Sequence, residues 1–217
     1  MDELTVALPS GRLLAESFAA LQAAGLARPV PPQNRSLLLA WPDLRTRVLI
    51  AKPVDLLTYV ERGAADCGII GKDVLLEQDH EVYELLDLGF GRCRGVVAFP
   101  MDRAAAWSAS ARLVRIATKY PRIAERFFWE RGRAVDVIRL SGAVELAPRV
   151  GLSDGILDVV MTGRTLRANG LVEVDEVFTS TARLVVNRVA LRAKAQRIQE
   201  AMEQLRRATQ LLLGERS

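Results

Sequence analysis

Two observations predict an α/β protein folded as two related lobes. Short β-rich runs alternate with helical spacing over most of the chain, and one strand-to-helix turn occurs twice with the same pattern of residues. A chain of 217 residues, half of them apolar, is long enough to bury one large core or two small ones.

The elements follow in order. Leu4 to Leu8 reads as a first strand, and Leu13 to Ala24 as a helix that ends at Gly25. Arg47 to Ala51 is a second strand. The helix after it runs from Pro53, a residue suited to a first turn, to Arg62, with Gly63 as its stop. Cys67 to Ile70 reads as a buried strand. Val82 to Phe99 reads as two extended runs hinged at Gly89, Gly91 and Gly95, where the chain is expected to cross between lobes. The second α/β unit has strands at Leu113 to Ala117, Val135 to Leu140 and Ile156 to Met161, with helices from Pro121 to Arg131 and around Val144. Two extended runs, Glu173 to Thr179 and Arg183 to Asn187, return the chain to the first lobe. Val189 to Leu213 reads as one long helix whose stripe of Leu191, Ala195, Ile198, Met202 and Leu205 packs inward. The boundaries expected are residues 1–92 plus 180–217 for lobe I and 93–179 for lobe II.

The repeated turn is Asp66-Cys67-Gly68-Ile69-Ile70-Gly71-Lys72-Asp73-Val74-Leu75 against Asp158-Val159-Val160-Met161-Thr162-Gly163-Arg164-Thr165-Leu166. Each runs aspartate, apolar strand, glycine, basic residue, polar residue, leucine. Ligands collect outside the carboxyl ends of strands in open α/β sheets, so two such turns are expected to face one cleft.

Composition narrows the chemistry. His80 is the single histidine and sits in the polar run Glu77 to Glu81, where a solvated loop residue is expected, so no Ser-His-Asp or histidine-rich metal site is indicated. Cys67 and Cys93 make neither a metal spacing nor a disulfide framework. The net charge of +4 comes mainly from arginine, whose planar fork suits phosphate and carboxylate oxygens. No basic run interleaved with aromatics points to nucleic acid, and no apolar stretch of about 18 residues points to a membrane. The acidic start Met1-Asp2-Glu3 lacks a signal peptide's basic region, so a cytoplasmic protein is expected.

At the end of a buried strand, Thr162-Gly163-Arg164-Thr165 offers two hydroxyls, a flexible glycine backbone and the first N–H groups of a helix. This is either an anion site or simply a capped helix start. It is not a Walker A loop, and Gly89-Phe90-Gly91 with Gly95 misses the dinucleotide fingerprint by one residue. Glu145, Asp154 and Asp158 lie just upstream, carboxylates fit to accept hydrogen bonds from sugar hydroxyls or to hold Mg²⁺. Phosphate on one side and hydroxyls on the other suggest a sugar phosphate.

Five ordered stretches carry a resemblance: "VALPSGRLL" at 6–14, "AKPVDLLTYVERGAADCGIIGKDVL" at 51–75, "DLGFGRCR" at 87–94, "RIATKYP" at 115–121 and "SGAVELAPRVGLSDGILDVVMTGRTLRANGL" at 141–171. In these, nearly end to end, the chain resembles the ATP phosphoribosyltransferases, the first enzymes of histidine biosynthesis. The resemblance implies a two-lobed fold like the type II periplasmic binding proteins, each lobe a mixed sheet flanked by helices. It implies adenine N1 of ATP attacking the anomeric carbon of phosphoribosyl pyrophosphate, with pyrophosphate leaving and Mg²⁺ as cofactor, held mainly through substrate phosphates.

By the same resemblance, Met161, Thr162, Gly163, Arg164, Thr165 and Leu166 hold the 5-phosphate, and Glu145, Asp154 or Asp158 the ribose hydroxyls and metal, the sequence leaving open which of the three carboxylates meets the ion. Ser10, Gly11, Arg12, Gly71 and Asp73 bind ATP, while Lys52 and Arg35 are catalytic residues that meet the polyphosphates. The resemblance is to the short form, a homodimer or higher that works in a hetero-oligomer with a regulatory subunit resembling histidyl-tRNA synthetase. Two positions depart from the family's pattern. Ser10 stands where lysine is usual, and Lys52 where arginine is usual, which keeps the charge and loses the bidentate fork. A subunit that has lost catalysis through these changes is one alternative reading. A solute-binding lobe pair or a regulator's effector domain shares the architecture, but the first needs a signal peptide and the second a helix-turn-helix, and neither is present in the sequence.

Overall fold

The computed structural model describes residues 3–30, 36–104 and 113–214. The chain forms two compact units. One comprises Met1–Leu75, Asp79–Arg92 and Thr181–Ser217, the other Leu76–Gln78 and Cys93–Ser180.

The first unit is built on a six-stranded sheet. Its strands are β1 (Leu4–Pro9), β2 (Leu38–Trp41), β3 (Thr46–Ala51), β4 (Cys67–Gly71), β5 (Val82–Asp87) and, late in the chain, β11 (Ala182–Asn187), in the order β2-β3-β1-β4-β11-β5. β1 pairs in parallel with β3 and β4, while β2 and β11 run antiparallel to their neighbours. Every residue of β1 is buried, as expected of a central strand covered on both faces. On one face Leu4, Val6 and Leu8 pack with α1 (Leu14–Ala23) and with Ile198, Ala201 and Leu205 of the C-terminal helix. On the other, Ala7 and Ile70 pack with Leu56, Leu57 and Val60 of α2 (Pro53–Glu61). A short helix, α3 (Lys72–Glu77), follows β4 directly. The sequence reading contained no strand at Leu38–Trp41: this edge run lacks the β-branched residues that mark strands, and it is defined by its register on β3, Leu38 opposite Leu49.

The second unit carries β6 (Cys93–Pro100), β7 (Val114–Thr118), β8 (Val135–Arg139), β9 (Gly155–Val160) and β10 (Leu171–Ser180), in the order β10-β6-β9-β7-β8. β7 is parallel to β8 and β9, and β6 is antiparallel to β9 and β10. Helix α4 (Pro121–Glu130) lays Ile123, Ala124, Phe127 and Phe128 on one face of this sheet. Val144 of a single 3₁₀ turn (Val144–Leu146) and Leu166 of α5 (Arg164–Ala168) cover the other. The helix expected around Val144 is only this turn, because Ala143 before it is left-handed and Pro148 after it cannot continue a helical ladder.

Two further expectations are corrected. Gly95 is not a hinge but lies inside β6, where a Cβ would sit 2.1 Å from Cε1 of the Phe178 ring; the glycine makes room for the aromatic across the strand pair. The tail is two helices, α6 (Arg188–Ala193) and α7 (Ala195–Gly214). Lys194 breaks them, its φ of −122° outside the helical range and its ammonium bonded to the Glu3 carbonyl at 2.7 Å and to Asp66 at 2.9 Å. Asn187 starts α6 by accepting from the Val189 and Ala190 amides and donates to the Val60 and Glu61 carbonyls, tying α6 to α2. Ala195, expected in the inward stripe, is exposed.

Candidate active site

In the first unit the residues singled out from sequence gather where three parallel strands end. Ser10 follows β1, and its amide donates to the Ala51 carbonyl at the end of β3, 2.7 Å away. Gly11 turns the chain into α1, and Arg12 donates to the Gly91 carbonyl at 2.6 Å. Lys52 follows β3 in extended conformation, and its carbonyl accepts from the amides of Asp55 and Leu56, which starts α2. Its side chain is exposed, and among the described residues no carboxylate pairs with it. Gly71 ends β4, and a Cβ there would lie 2.1 Å from Oδ1 of Asp73, so the buried Asp73 carboxylate folds back over the strand end. Arg35 lies outside the described residues.

In the second unit β7, β8 and β9 run in parallel and likewise end together. Lys119 leaves β7, Glu145 sits in the turn after β8, and Asp158 is near the end of β9. Lys119 Nζ lies 3.1 Å from Asp158 Oδ1, and the Val159 amide donates to that same oxygen at 2.7 Å. Burial pushes the Asp158 carboxyl above its ordinary value and Glu145 adds to this, while the Lys119 charge opposes both. The loop then runs through Met161, Thr162, Gly163, Arg164 and Thr165, of which only Gly163 is buried, to Leu166, which anchors it in the core. Gly163 is left-handed at φ +68°, and a Cβ there would meet Glu173 Oε1 at 3.0 Å, so glycine suits the site on both counts. Arg167 closes the loop by donating to the Thr162 carbonyl at 3.0 Å.

Asp154 is not brought to this cluster. It precedes β9, four residues before Asp158 and so about 13 Å from it along the strand at the usual rise per residue. Arg115 holds it, with Nη2 2.9 Å from Oδ1 and its amide 2.9 Å from Oδ2, and this hydrogen-bonded guanidinium lowers the Asp154 pKa. Lys119 is not among the site residues expected from sequence, although its position is a signal: a cation just past a strand and before a Pro-started helix, as Lys52 is in the first unit. His80 is not a solvated loop residue; its Nδ1 lies 3.2 Å from Glu61 and its side chain is mostly buried. Neither cysteine is a nucleophile candidate, both being buried, with the Cys67 thiol pushed up to about 12 by its burial.

Residues 52–207 match the ATP phosphoribosyltransferase family. The chain belongs to that family. An ATP phosphoribosyltransferase from Moorella thermoacetica is 50% identical over 214 residues, 94% of this chain and 92% of its own. Another, from Symbiobacterium thermophilum, is 50% identical over 210 residues and 95% of each chain. Among solved structures, the ATP phosphoribosyl transferase (HisG:HisZ) complex from Thermotoga maritima superposes with a TM-score of 0.82 at 34% identity, covering 95% of this chain and 98% of that one. The periplasmic aliphatic sulphonate binding protein of Escherichia coli shares the fold alone, with a TM-score of 0.64 at 12% identity over 100% of this chain and 75% of that one. The fold is thus that of the type II periplasmic binding proteins, two mixed sheets flanked by helices. The function is that of an ATP phosphoribosyltransferase, a pentosyltransferase that moves phosphoribosyl from phosphoribosyl pyrophosphate to ATP in histidine biosynthesis.

Proposed function

We propose that the second unit's strand ends bind phosphoribosyl pyrophosphate and the first unit's bind ATP. The single observation that carries this is the meeting of Lys119, Glu145, Asp158 and the loop from Met161 to Leu166 at one end of three parallel strands, carboxylates beside a loop of exposed threonines and arginine. The loop takes the 5-phosphate on its amides and hydroxyls, and Asp158 and Glu145 take the ribose hydroxyls. Ser10, Gly11, Arg12 and the Gly71 turn receive ATP, with Asp73 holding that turn in shape. Lys52 and Arg35 meet polyphosphate oxygens.

The reaction asks little of a base. Adenine N1 is unprotonated at neutral pH, so attack on the anomeric carbon needs the two substrates held in line and the departing diphosphate stabilised. Lys52, exposed and unpaired among the described residues, serves the second need. Glu145 has no cation partner among the described residues and would complement Mg²⁺ carried on substrate phosphates, where the ion supplies charge neutralisation. No three His, Cys, Asp or Glu side chains of the described residues cluster as an all-protein metal site.

The same reading makes this a cytoplasmic short-form subunit. A regulatory partner resembling histidyl-tRNA synthetase is supported by the Thermotoga maritima relative, which is a two-protein complex. No helix among the described residues is long and apolar enough to cross a membrane. Calorimetric titration with phosphoribosyl pyrophosphate in Mg²⁺ tests the site assignment. Thr165→Val combined with Gly163→Ala should weaken binding by at least roughly tenfold, the scale of one or two lost hydrogen bonds to a charged group. Unchanged affinity would place the sugar phosphate elsewhere.

A further inference from the structure

We propose that Lys119 is a positioning residue of the second unit's site: it pins one oxygen of Asp158 so that the other is presented to the ribose of phosphoribosyl pyrophosphate. The proposal rests on the assignment of that substrate to this unit.

The geometry is asymmetric. The Lys119 ammonium and the Val159 amide both meet Asp158 Oδ1, at 3.1 and 2.7 Å, and among the described residues Oδ2 has no partner. A carboxylate accepts through about four lone-pair positions, so one held on a single oxygen is fixed in rotation with the second oxygen free to accept. The Asp158 side chain is only 13% exposed, and such a charge needs a fixed counter-ion, which the more exposed Lys119 supplies. Among the described residues the groups facing Asp158 are Lys119 from the end of β7, Glu145 from the turn after β8, and uncharged Val96 opposite it on β6. Without Lys119, two carboxylates would face a substrate that is itself a polyanion. Lys119 therefore lets an acidic pair bind sugar hydroxyls beside a diphosphate without repelling it.

The full chain, assayed with both substrates and Mg²⁺, tests this through a double-mutant cycle. Lys119→Met should raise KM for phosphoribosyl pyrophosphate roughly ten- to a hundredfold, the range for a lost charged hydrogen bond, with KM for ATP within about twofold. Lys119→Arg, which keeps the charge, should recover most of the loss. In an Asp158→Asn background Lys119→Met should cost little more, because the carboxylate it positions is gone. Additive losses, an equal rise in KM for ATP, or no effect of Lys119→Met where Asp158→Asn weakens binding would each overturn the proposal while leaving the site assignment standing. If Asp158→Asn itself leaves affinity for phosphoribosyl pyrophosphate unchanged, the site assignment falls, and the role of Lys119 falls with it.

Discussion

Lys52 and Lys119 show how one residue type does different work according to what surrounds it. Both follow a parallel strand and precede a proline-started helix, yet Lys119 is paired at 3.1 Å and Lys52 has no carboxylate partner among the described residues. A free point charge at a strand end is suited to a group whose charge grows during reaction. Lys52→Ala should therefore lower kcat more than it raises KM, by roughly ten- to a thousandfold, the range for losing one electrostatic donor. Steady-state kinetics with both substrates varied checks this, and wild-type turnover would make Lys52 a surface cation. Lys52→Arg should stay active, since arginine keeps the charge and adds a fork that matches two phosphate oxygens. Motifs carry both lysines, but the role of Lys119 is not legible in sequence because its pairing with Asp158 spans 39 residues of chain and exists only once β7 and β9 lie side by side.

At the scale of the element, β9 divides two carboxylates that the sequence offers together. Asp158 at its end faces Lys119 and the loop, and Asp154 before its start clamps Arg115 of β7. Four residues of extended chain separate the two carboxylates by about 13 Å, so each meets different neighbours on β7, which spacing alone does not reveal. Asp154 thus acts as a strut. Its pKa is lowered in the fold, first by the Arg115 hydrogen bond, so the unfolded chain binds more protons as the pH falls below the ordinary value of 3.8. The stabilisation it contributes is fully present above that value and is lost as the pH falls through the lower folded value. Asp154→Asn should lower stability at neutral pH and flatten the fall in stability below about pH 4, with affinity for phosphoribosyl pyrophosphate unchanged. Urea unfolding across pH, paired with calorimetric titration, measures both, and a loss of substrate affinity without loss of stability would return Asp154 to the binding site. Helix α4 gives the converse case, an element fully legible in sequence: Pro121 starts it, and Ile123, Ala124, Phe127 and Phe128 form one apolar face at helical spacing.

At the scale of the whole molecule, each unit has its own sheet and its own apolar core on both faces, and the described residues are accounted for by these two bodies. The C-terminal helix α7 is committed to the first of them through Ile198, Ala201, Leu205 and Ala208. On the short-form reading proposed above, histidine sensing resides in the regulatory partner. The isolated chain should bind no histidine in calorimetry and keep full activity in its presence, and inhibition should appear only on addition of the regulatory subunit, since coupling requires a second site. Saturable histidine binding by this chain alone, at a site that ATP and phosphoribosyl pyrophosphate leave open, would refute the short-form reading.

By itself the amino-acid sequence determined the order and type of nearly every element and the two strand-to-helix turns to which the substrates are assigned. Local signals suffice there: apolar β-rich runs, prolines at first turns, and a glycine set between Thr162 and Arg164. Only the tertiary structure decided which strand β2 joins, that Gly95 makes room for Phe178, that Lys194 interrupts the last helix to reach Asp66, and that Asp158 has a cation while Asp154 is a strut. Each of these depends on groups distant in sequence that meet across a sheet, and the free energy of such meetings lies in packing and charge pairing that no local pattern encodes.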